Sequence, residues 1–339
     1  MIAGKAKRVF SFLSFRMGLT QSLVKLQNIF RPAKPNTFRI LNYHRINDFN
    51  DLFTIDSVSA LDFEKQMYYI SKNYHVLSLE DIYDHIVNNR ILPTQCLAIT
   101  FDDGYEDNYT FAYPILGKYN LPATIFLPVD CIDSQTPLWF DKVLSAFKAT
   151  SKKQFVSPLN QMAFDIHTME QKVYTAHITL KDLKKSDNKQ REKFVLDVLK
   201  ELDISSNEAL HNTGNLLTWP RIMEMSRHNI SFGSHTMTHP ILANLPDTEL
   251  EWELETSRQI IENKVEKQVL FFAYPNGKGP DYNEKVIQSV KQAGYKAAMT
   301  TAPDINRPSS DFFTWGRYKP WQNQVEHFSM ALFMHGLSN

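Results

Sequence analysis

Two neighbouring carboxylates, Asp102 and Asp103, follow the apolar run CLAITF and precede a glycine, Gly104. Like charges this close raise each other's pKa or require a cation nearby. Because successive residues of a strand face opposite sides, both side chains reach one centre only if the chain turns at Gly104. The pair therefore predicts a bound cation at the end of a buried strand.

Two histidines are the second candidate for chemistry. In FGSHTMTHP, His235 and His239 lie four residues apart, directly after another apolar run. Two imidazoles at this spacing converge on one metal ion if the segment turns helically, although a chain with 11 histidines produces such spacings by chance. Together with one aspartate they supply two nitrogens and a carboxylate, as catalytic zinc sites do. The neighbouring aspartate is then free to take a proton from bound water.

The pattern of the chain predicts the elements that bring these residues together. Short apolar runs alternate with helical patterns, which is typical of an α/β fold with a parallel sheet. Both motifs directly follow strands, and the active site of a β/α barrel lies at the carboxyl ends of its strands. About seven strands favour a closed or nearly closed barrel, and the runs are FRILNY, YHVLS, CLAITF, ATIFLP, NISFGS, QVLFFAY and YKAAMTT.

One region interrupts this alternation. Residues 134–215 are polar, lysine-rich and typical of helices without a clean strand, so we predict a helical insertion in a barrel that spans residues 37–339. At its start, Trp139 and Phe140 either line a substrate cleft or anchor the apolar core of the insertion.

Composition excludes several classes of protein. Lysine plus arginine and aspartate plus glutamate both number 37, and this neutral balance argues against a nucleic-acid partner. Two cysteines, Cys96 and Cys131, are too few for a disulfide scaffold. Since Cys96 begins the apolar run before Asp102, we expect it to be a buried free thiol.

Residues 1–36 form a separate amphipathic segment in the sequence. Its apolar patch is far shorter than the ~20 residues that span a bilayer, and no small-residue cleavage site follows it. Apolar residues at helical spacing with interleaved Lys and Arg predict either a helix on an anionic membrane surface or one packed on the protein body. The first alternative predicts a cytoplasmic protein in peripheral contact with the inner face of the membrane.

Three motifs, in this order, resemble those of the polysaccharide deacetylases, carbohydrate esterase family 4. TFDDG and SHTMTH resemble the first two motifs, and FFAYPNG, residues 271–277, resembles the third. The resemblance extends from about Arg39 to Lys319 and leaves out the insertion. It implies a distorted (β/α)7 barrel that removes an N-acetyl or O-acetyl group from a sugar with a divalent metal, expected to be Zn²⁺. The substrate is then an acetylated polysaccharide or lipid-linked glycan.

The resemblance also implies roles for individual residues. Asp102 matches the catalytic base of the family, and the metal ligands match Asp103, His235 and His239. With all four positions present, a glycan-binding protein without catalysis is the less favoured alternative. A second alternative is a metal hydrolase that acts on amides other than sugars.

The third motif departs from the common form of the family. Ala273 and Asn276 stand where many members have arginine and tyrosine. The arginine normally holds the base, and Arg317 in TWGRY is the candidate replacement, with a structural arginine as the alternative. Asn276 is expected to supply a backbone N–H to the oxyanion. Candidate sugar-stacking rings, which more often belong to the core, are Tyr274, Trp315 and Trp321.

A histidine is expected to protonate the leaving group. His335 closes a C-terminal helical pattern, where the helix dipole favours a cation for local reasons. His44 ends the early strand in LNYH, which resembles the poly-N-acetylglucosamine deacetylases that carry their motifs in circularly permuted order. We therefore expect His44 to be the catalytic acid.

Overall fold

A computed structural model gives the fold of the chain. It describes residues 36–47, 51–54, 56–205, 215–320 and 324–335. The predicted amphipathic segment before residue 36, and Trp321, lie outside the described residues. Among those described, no helix is both long and apolar enough to cross a membrane.

Seven parallel strands form the central sheet of an α/β fold, as predicted from the apolar runs. Each run contains one of these strands. The strands are β1 (Phe38–Tyr43), β4 (His75–Val76), β5 (Cys96–Phe101), β6 (Ala123–Leu127), β9 (Ile230–Ser234), β10 (Phe271–Ala273) and β11 (Ala297–Met299); the short β2 (Arg45–Ile46) and β3 (Ser57–Val58) pair with each other. The pairing order in the central sheet is β1-β5-β6-β9-β10-β11, and β4 pairs with the beginning of β5.

An irregular segment, residues 315–318, connects the two ends of this strand order. The Trp315 N–H donates to the Ala298 carbonyl at 3.0 Å, beside β11. The Tyr318 N–H donates to the Ile40 carbonyl of β1 at 2.8 Å. The sheet therefore curls back on itself, and the connecting segment carries Arg317 into the buried interior.

Helices alternate with the strands, as the pattern of the chain predicted. One of them begins at a side-chain cap, because the Asp81 N–H donates to the Ser78 hydroxyl at 3.0 Å. The helices between strands are α1 (Ala60–Asn73), α2 (Leu79–Val87), α3 (Tyr113–Lys118), α4 (Val129–Ser134), α5 (Trp139–Ala149), α6 (Met169–Leu183), α7 (Asn188–Glu201), α8 (Trp219–Ser226), α9 (Asp247–Val265) and α10 (Glu284–Gln292), with α11 (Val325–His335) after the last strand.

The polar region after residue 134 contains helices α5, α6 and α7, which bury an apolar cluster of their own. The expectation that it lacks strands is wrong, because β7 (Gln154–Val156) pairs antiparallel with β8 (Ala163–Asp165). Only Phe155 of β7 points into the cluster, between two exposed neighbours. A single inward residue is too short an alternation to be recognised in a sequence.

Both cysteines are buried and free, as expected for Cys96. Burial raises the pKa of each thiol to about 12. Neither is therefore a nucleophile at neutral pH.

Candidate active site

Three predicted ligands meet at the carboxyl ends of β5 and β9. The Nε2 atoms of His235 and His239 lie 3.5 Å and 3.4 Å from Asp103 Oδ1. One potential ligand atom from each residue lies within 4.8 Å of the other two, and all three residues are buried. The structure therefore brings together the carboxylate and the two imidazoles that the sequence proposed as a metal centre.

A turn after β5 gives Asp103 its position. Asp103 has φ +71° and Gly104 has φ +60°, so two successive residues are in the left-handed region. A Cβ at Gly104 would lie 2.9 Å from the side chain of Leu127. The glycine is needed there for both its conformation and the close packing. The reversal brings both aspartates to the same end of the sheet.

The polar atoms of this centre fit a divalent cation. Asp103 Oδ1 is buried and has no hydrogen-bond partner among the described residues. His235 Nδ1 donates to the Ala273 carbonyl at 2.7 Å, which leaves the lone pair of Nε2 facing Asp103. Burial, followed by the charge of Asp102, raises the pKa of Asp103, and burial lowers the pKa of both histidines. Asp103 Oδ1 and His235 Nε2 are thus acceptors that face each other with no donor between them, which suits a bound cation.

Asp102 lies beside this centre and has a different set of partners. Arg317 donates to both carboxylate oxygens, each at 2.7 Å, and Asn42 donates to Oδ2 at 3.1 Å. His44 Nε2 lies 3.9 Å from the same Oδ2. The ends of β1 and β5 and the connecting segment therefore converge on one carboxylate.

Burial and neighbouring charges set the protonation states of Asp102 and His44. Burial raises the pKa of Asp102, but Arg317, and then His235, more than offset this and hold the pKa well below its usual range. Burial also lowers the pKa of His44 to about 4, although the Asp102 carboxylate opposes that shift. At neutral pH the resting site therefore holds an ionised Asp102 beside a neutral His44.

Of the other predicted substrate contacts, Trp315 and Tyr274 are buried and Asn276 is half-buried. Trp315 is 0 % exposed and packs edge-on against Phe38, with ring centroids 5.0 Å apart. Tyr274 is also buried, and its ring stacks on Tyr282 at 4.4 Å. Neither ring presents a face for a sugar, which corrects that expectation. Asn276 is half-buried at φ +60°, and its Nδ2 has no hydrogen-bond partner among the described residues.

The two aromatic residues at the start of α5 contact the histidine side of the centre. Trp139 is buried in the apolar cluster of the helical region, and its indole N–H donates to the His239 carbonyl at 3.3 Å. Phe140 lies edge-on to the His239 imidazole at 5.4 Å between ring centroids. Trp139 thus anchors the helical region, as one alternative proposed, and Phe140 borders the candidate metal centre.

Two side chains of the site were missed from the sequence. Asn42 lies in β1, whose six residues are all buried. A polar residue in such a strand indicates a buried hydrogen-bond partner, which here is Asp102. Glu253 lies among the buried positions of α9 at 2 % exposure and accepts hydrogen bonds from the histidine turn. A charged residue at helical spacing from apolar ones was the corresponding signal.

Comparisons with known proteins agree with this geometry. A family model described as polysaccharide deacetylase matches residues 89–190 and 168–298, which together make up more than half of the chain. The chain belongs to the polysaccharide deacetylase family. YxkH of Bacillus subtilis (strain 168), provisionally named a polysaccharide deacetylase, is similar to this chain, with 25% identity over 274 residues. That match covers 80% of this chain and 67% of the relative.

Other polysaccharide deacetylases match a shorter part of the chain or only its fold. The poly-beta-1,6-N-acetyl-D-glucosamine N-deacetylase of Staphylococcus aureus (strain MSSA476) is 35% identical over 107 residues, which span 28% of this chain and 37% of the relative. The deacetylase PplD of Streptococcus pyogenes, solved in complex with acetate, has TM-score 0.59 at 19% identity over 88% of this chain and 98% of the other. IcaB from Ammonifex degensii has TM-score 0.56 at 16% identity over 87% and 96%. These two structures share the fold.

Proposed function

We propose that this chain is a metal-dependent hydrolase that removes N-acetyl groups from a sugar of a polysaccharide or lipid-linked glycan, with O-acetyl groups as a related substrate. The observation that most supports this proposal is the buried cluster of Asp103, His235 and His239. It lies beside Asp102, which Arg317 keeps ionised. Two roles, ligand and base, are thereby assigned to two adjacent carboxylates. Membership in the polysaccharide deacetylase family supports the reaction class.

In this proposal Asp103, His235 and His239 hold a divalent metal, Zn²⁺ being our preferred ion for two nitrogens and one oxygen. When bound, such a metal polarises the acetyl carbonyl and lowers the pKa of water. Asp102 accepts the proton of the attacking water as general base. Its bidentate pairing with Arg317 fixes the orientation of the carboxylate. Arg317 is thus assigned as a positioning residue for the base.

His44 is the proposed proton donor to the leaving amine. Its resting imidazole is neutral because burial lowers its pKa to about 4, so it must receive a proton during the reaction. The Asp102 carboxyl, 3.9 Å away, is the group that has just accepted one. A small movement of the imidazole then transfers the proton from Asp102 through His44 to the departing nitrogen. The backbone N–H of Asn276 is the proposed oxyanion donor from the protein.

Acetate release tests the proposed function. Purified protein would be incubated with N-acetylhexosamine oligomers and with lipid-linked N-acetyl sugars, with added zinc, cobalt, nickel or manganese. We expect acetate and a free amine from at least one substrate and none from the Asp102→Asn variant. Binding of the oligomers without acetate release under every condition would instead identify a glycan-binding protein.

We also propose a location for this activity. Interleaved basic and apolar residues before residue 36 favour peripheral contact with an anionic membrane, where lipid-linked glycans are found. Deletion of residues 1–30 is then expected to move the protein from the membrane fraction to the soluble fraction. A full-length protein found only in the soluble fraction would contradict this location and leave the proposed reaction intact.

A further inference from the structure

The turn that carries the two histidines has an unfavourable backbone. Thr236 has φ +73° and His239 has φ +56°, and neither is a glycine. Residues held in the left-handed region cost about 1–3 kcal/mol each and persist only where the surroundings hold them. The hydroxyl of Thr236 accepts the His239 N–H at 3.0 Å, which is one local support. Something beyond the turn is needed to hold it against the barrel.

Two backbone N–H groups of α4 supply part of that support, since Val129 donates to the Thr236 carbonyl and Asp130 to the Met237 carbonyl. Glu253 of helix α9 supplies the side-chain part. Its Oε2 accepts the Met237 N–H at 2.7 Å and the Thr238 N–H at 3.0 Å, and its Oε1 accepts the Thr238 hydroxyl. The carboxylate therefore binds two of the three residues between the histidines. Hydrogen bonds to an ionised acceptor are about twice as strong as neutral ones.

A buried carboxylate is costly unless its oxygens are satisfied. Glu253 is 2 % exposed, and both of its oxygens accept hydrogen bonds from the histidine turn. Helix α9 also packs through apolar side chains, since Leu250, Leu254 and Ile261 are fully buried, and its Ser257 hydroxyl lies 2.7 Å from that of Ser234 in β9. An apolar side chain at position 253 could pack but could not accept these hydrogen bonds. The carboxylate is therefore explained by the turn that it holds.

We infer that Glu253 is a positioning residue that sets the geometry of His235 and His239 and thereby the metal affinity of the site. It lies outside the proposed ligand set and acts through the backbone of the turn. Changes to groups that orient metal ligands typically cost about 10–100-fold in metal affinity. This inference rests on the proposed metal site.

Cobalt binding tests the inference without reference to catalysis. Full-length wild-type protein, Glu253→Ala and Glu253→Gln would be titrated with Co²⁺ while its visible absorption is recorded. We expect Glu253→Ala to bind Co²⁺ at least ~10-fold more weakly and with an altered spectrum. Glu253→Gln should recover most of the affinity, because its amide oxygen still accepts both N–H groups and its NH₂ can donate to Thr238.

Two further variants make the result decisive. Glu255→Ala changes an exposed glutamate of the same helix and should bind Co²⁺ as the wild type does. If Glu253→Ala does not fold, Thr238→Val removes a single hydrogen bond to Glu253 and should still weaken binding measurably. Wild-type affinity and spectrum in the folded Glu253→Ala or Thr238→Val variant would overturn the inference, as would equal losses in the alanine and glutamine variants. A wild-type protein that binds no Co²⁺ would instead contradict the proposed metal site itself.

Discussion

Arg317 and Asp102 form a bidentate pair in the interior of the sheet, with two N–O distances of 2.7 Å and both side chains almost fully buried. They lie 215 residues apart in the chain and meet because the segment that carries Arg317 lies between β11 and β1. The pair supports the prediction that Arg317, from a different part of the sheet, replaces the arginine that the third motif lacks.

The pair predicts strong thermodynamic coupling. Arg317→Met is expected to lower the free energy of unfolding by about 3–5 kcal/mol, because it leaves a buried carboxylate without its cation. The double variant Arg317→Met/Asp102→Asn should recover part of that loss, since the buried charge is then gone. Urea denaturation of the four proteins in this cycle measures the coupling. Strictly additive effects of the two substitutions would show that the pair contributes nothing to stability.

His44 predicts a specific pH dependence of stability. Its pKa is lowered in the folded protein from 6.5 to about 4, so the unfolded chain binds more protons between these values. Stability is therefore lost as the pH falls below 6.5. Between pH 7 and pH 5 the wild type should lose about 2 kcal/mol more than His44→Asn, measured by denaturation at both pH values. Equal losses in the two proteins would mean that the imidazole titrates normally.

His44 also predicts a kinetic effect. His44→Ala should retain bound metal and lower turnover by about 10²–10⁴-fold, the usual contribution of a positioned acid. His335, whose side chain lies outside the described residues, provides the matched control, and His335→Ala should be nearly silent. Steady-state rates of acetate release with metal analysis of each variant provide the measurement. A severe loss in His335→Ala with little loss in His44→Ala would reverse the assignment.

Trp315 is predicted to stabilise the fold and to leave sugar binding unaffected. Trp315→Ala should lower the free energy of unfolding by about 3–5 kcal/mol, because a fully buried ring leaves a cavity. Trp315→Phe should retain KM for the acetylated substrate, since the wild-type ring contacts core residues such as Phe38. A large rise in KM in a stably folded Trp315→Phe protein would restore the original interpretation as a stacking ring.

The strand and helix order was predictable from the sequence because local patterns specify it. A run such as CLAITF is buried along its whole length as β5, and a polar residue such as Ser78 has a cap as its local role. The convergence of Asp103, His235 and His239 was predictable for a related reason, since both motifs follow strands that run in the same direction. Carboxyl ends of parallel strands gather at one edge whatever the sequence between them.

Long-range pairings were much harder to predict. Arg317 was named as a candidate, but its pairing with Asp102 depends on how the sheet curls and on which residues the connecting segment buries. Glu253 resembled any other acid in the charged pattern of α9, although it occupies a core position. The ring faces of Tyr274 and Trp315 were likewise undetermined, because an aromatic residue near a motif serves either the core or a ligand.

The division of labour between Asp102 and Asp103 is the central claim, and metal content with acetate release in single variants tests it most directly. Asp103→Ala, His235→Ala and His239→Ala should each lose bound metal, with folding checked by circular dichroism. Asp102→Asn should keep its metal and lose activity by at least ~10²-fold. Full metal occupancy in all three ligand variants, or loss of metal in a folded Asp102→Asn protein, would contradict the account.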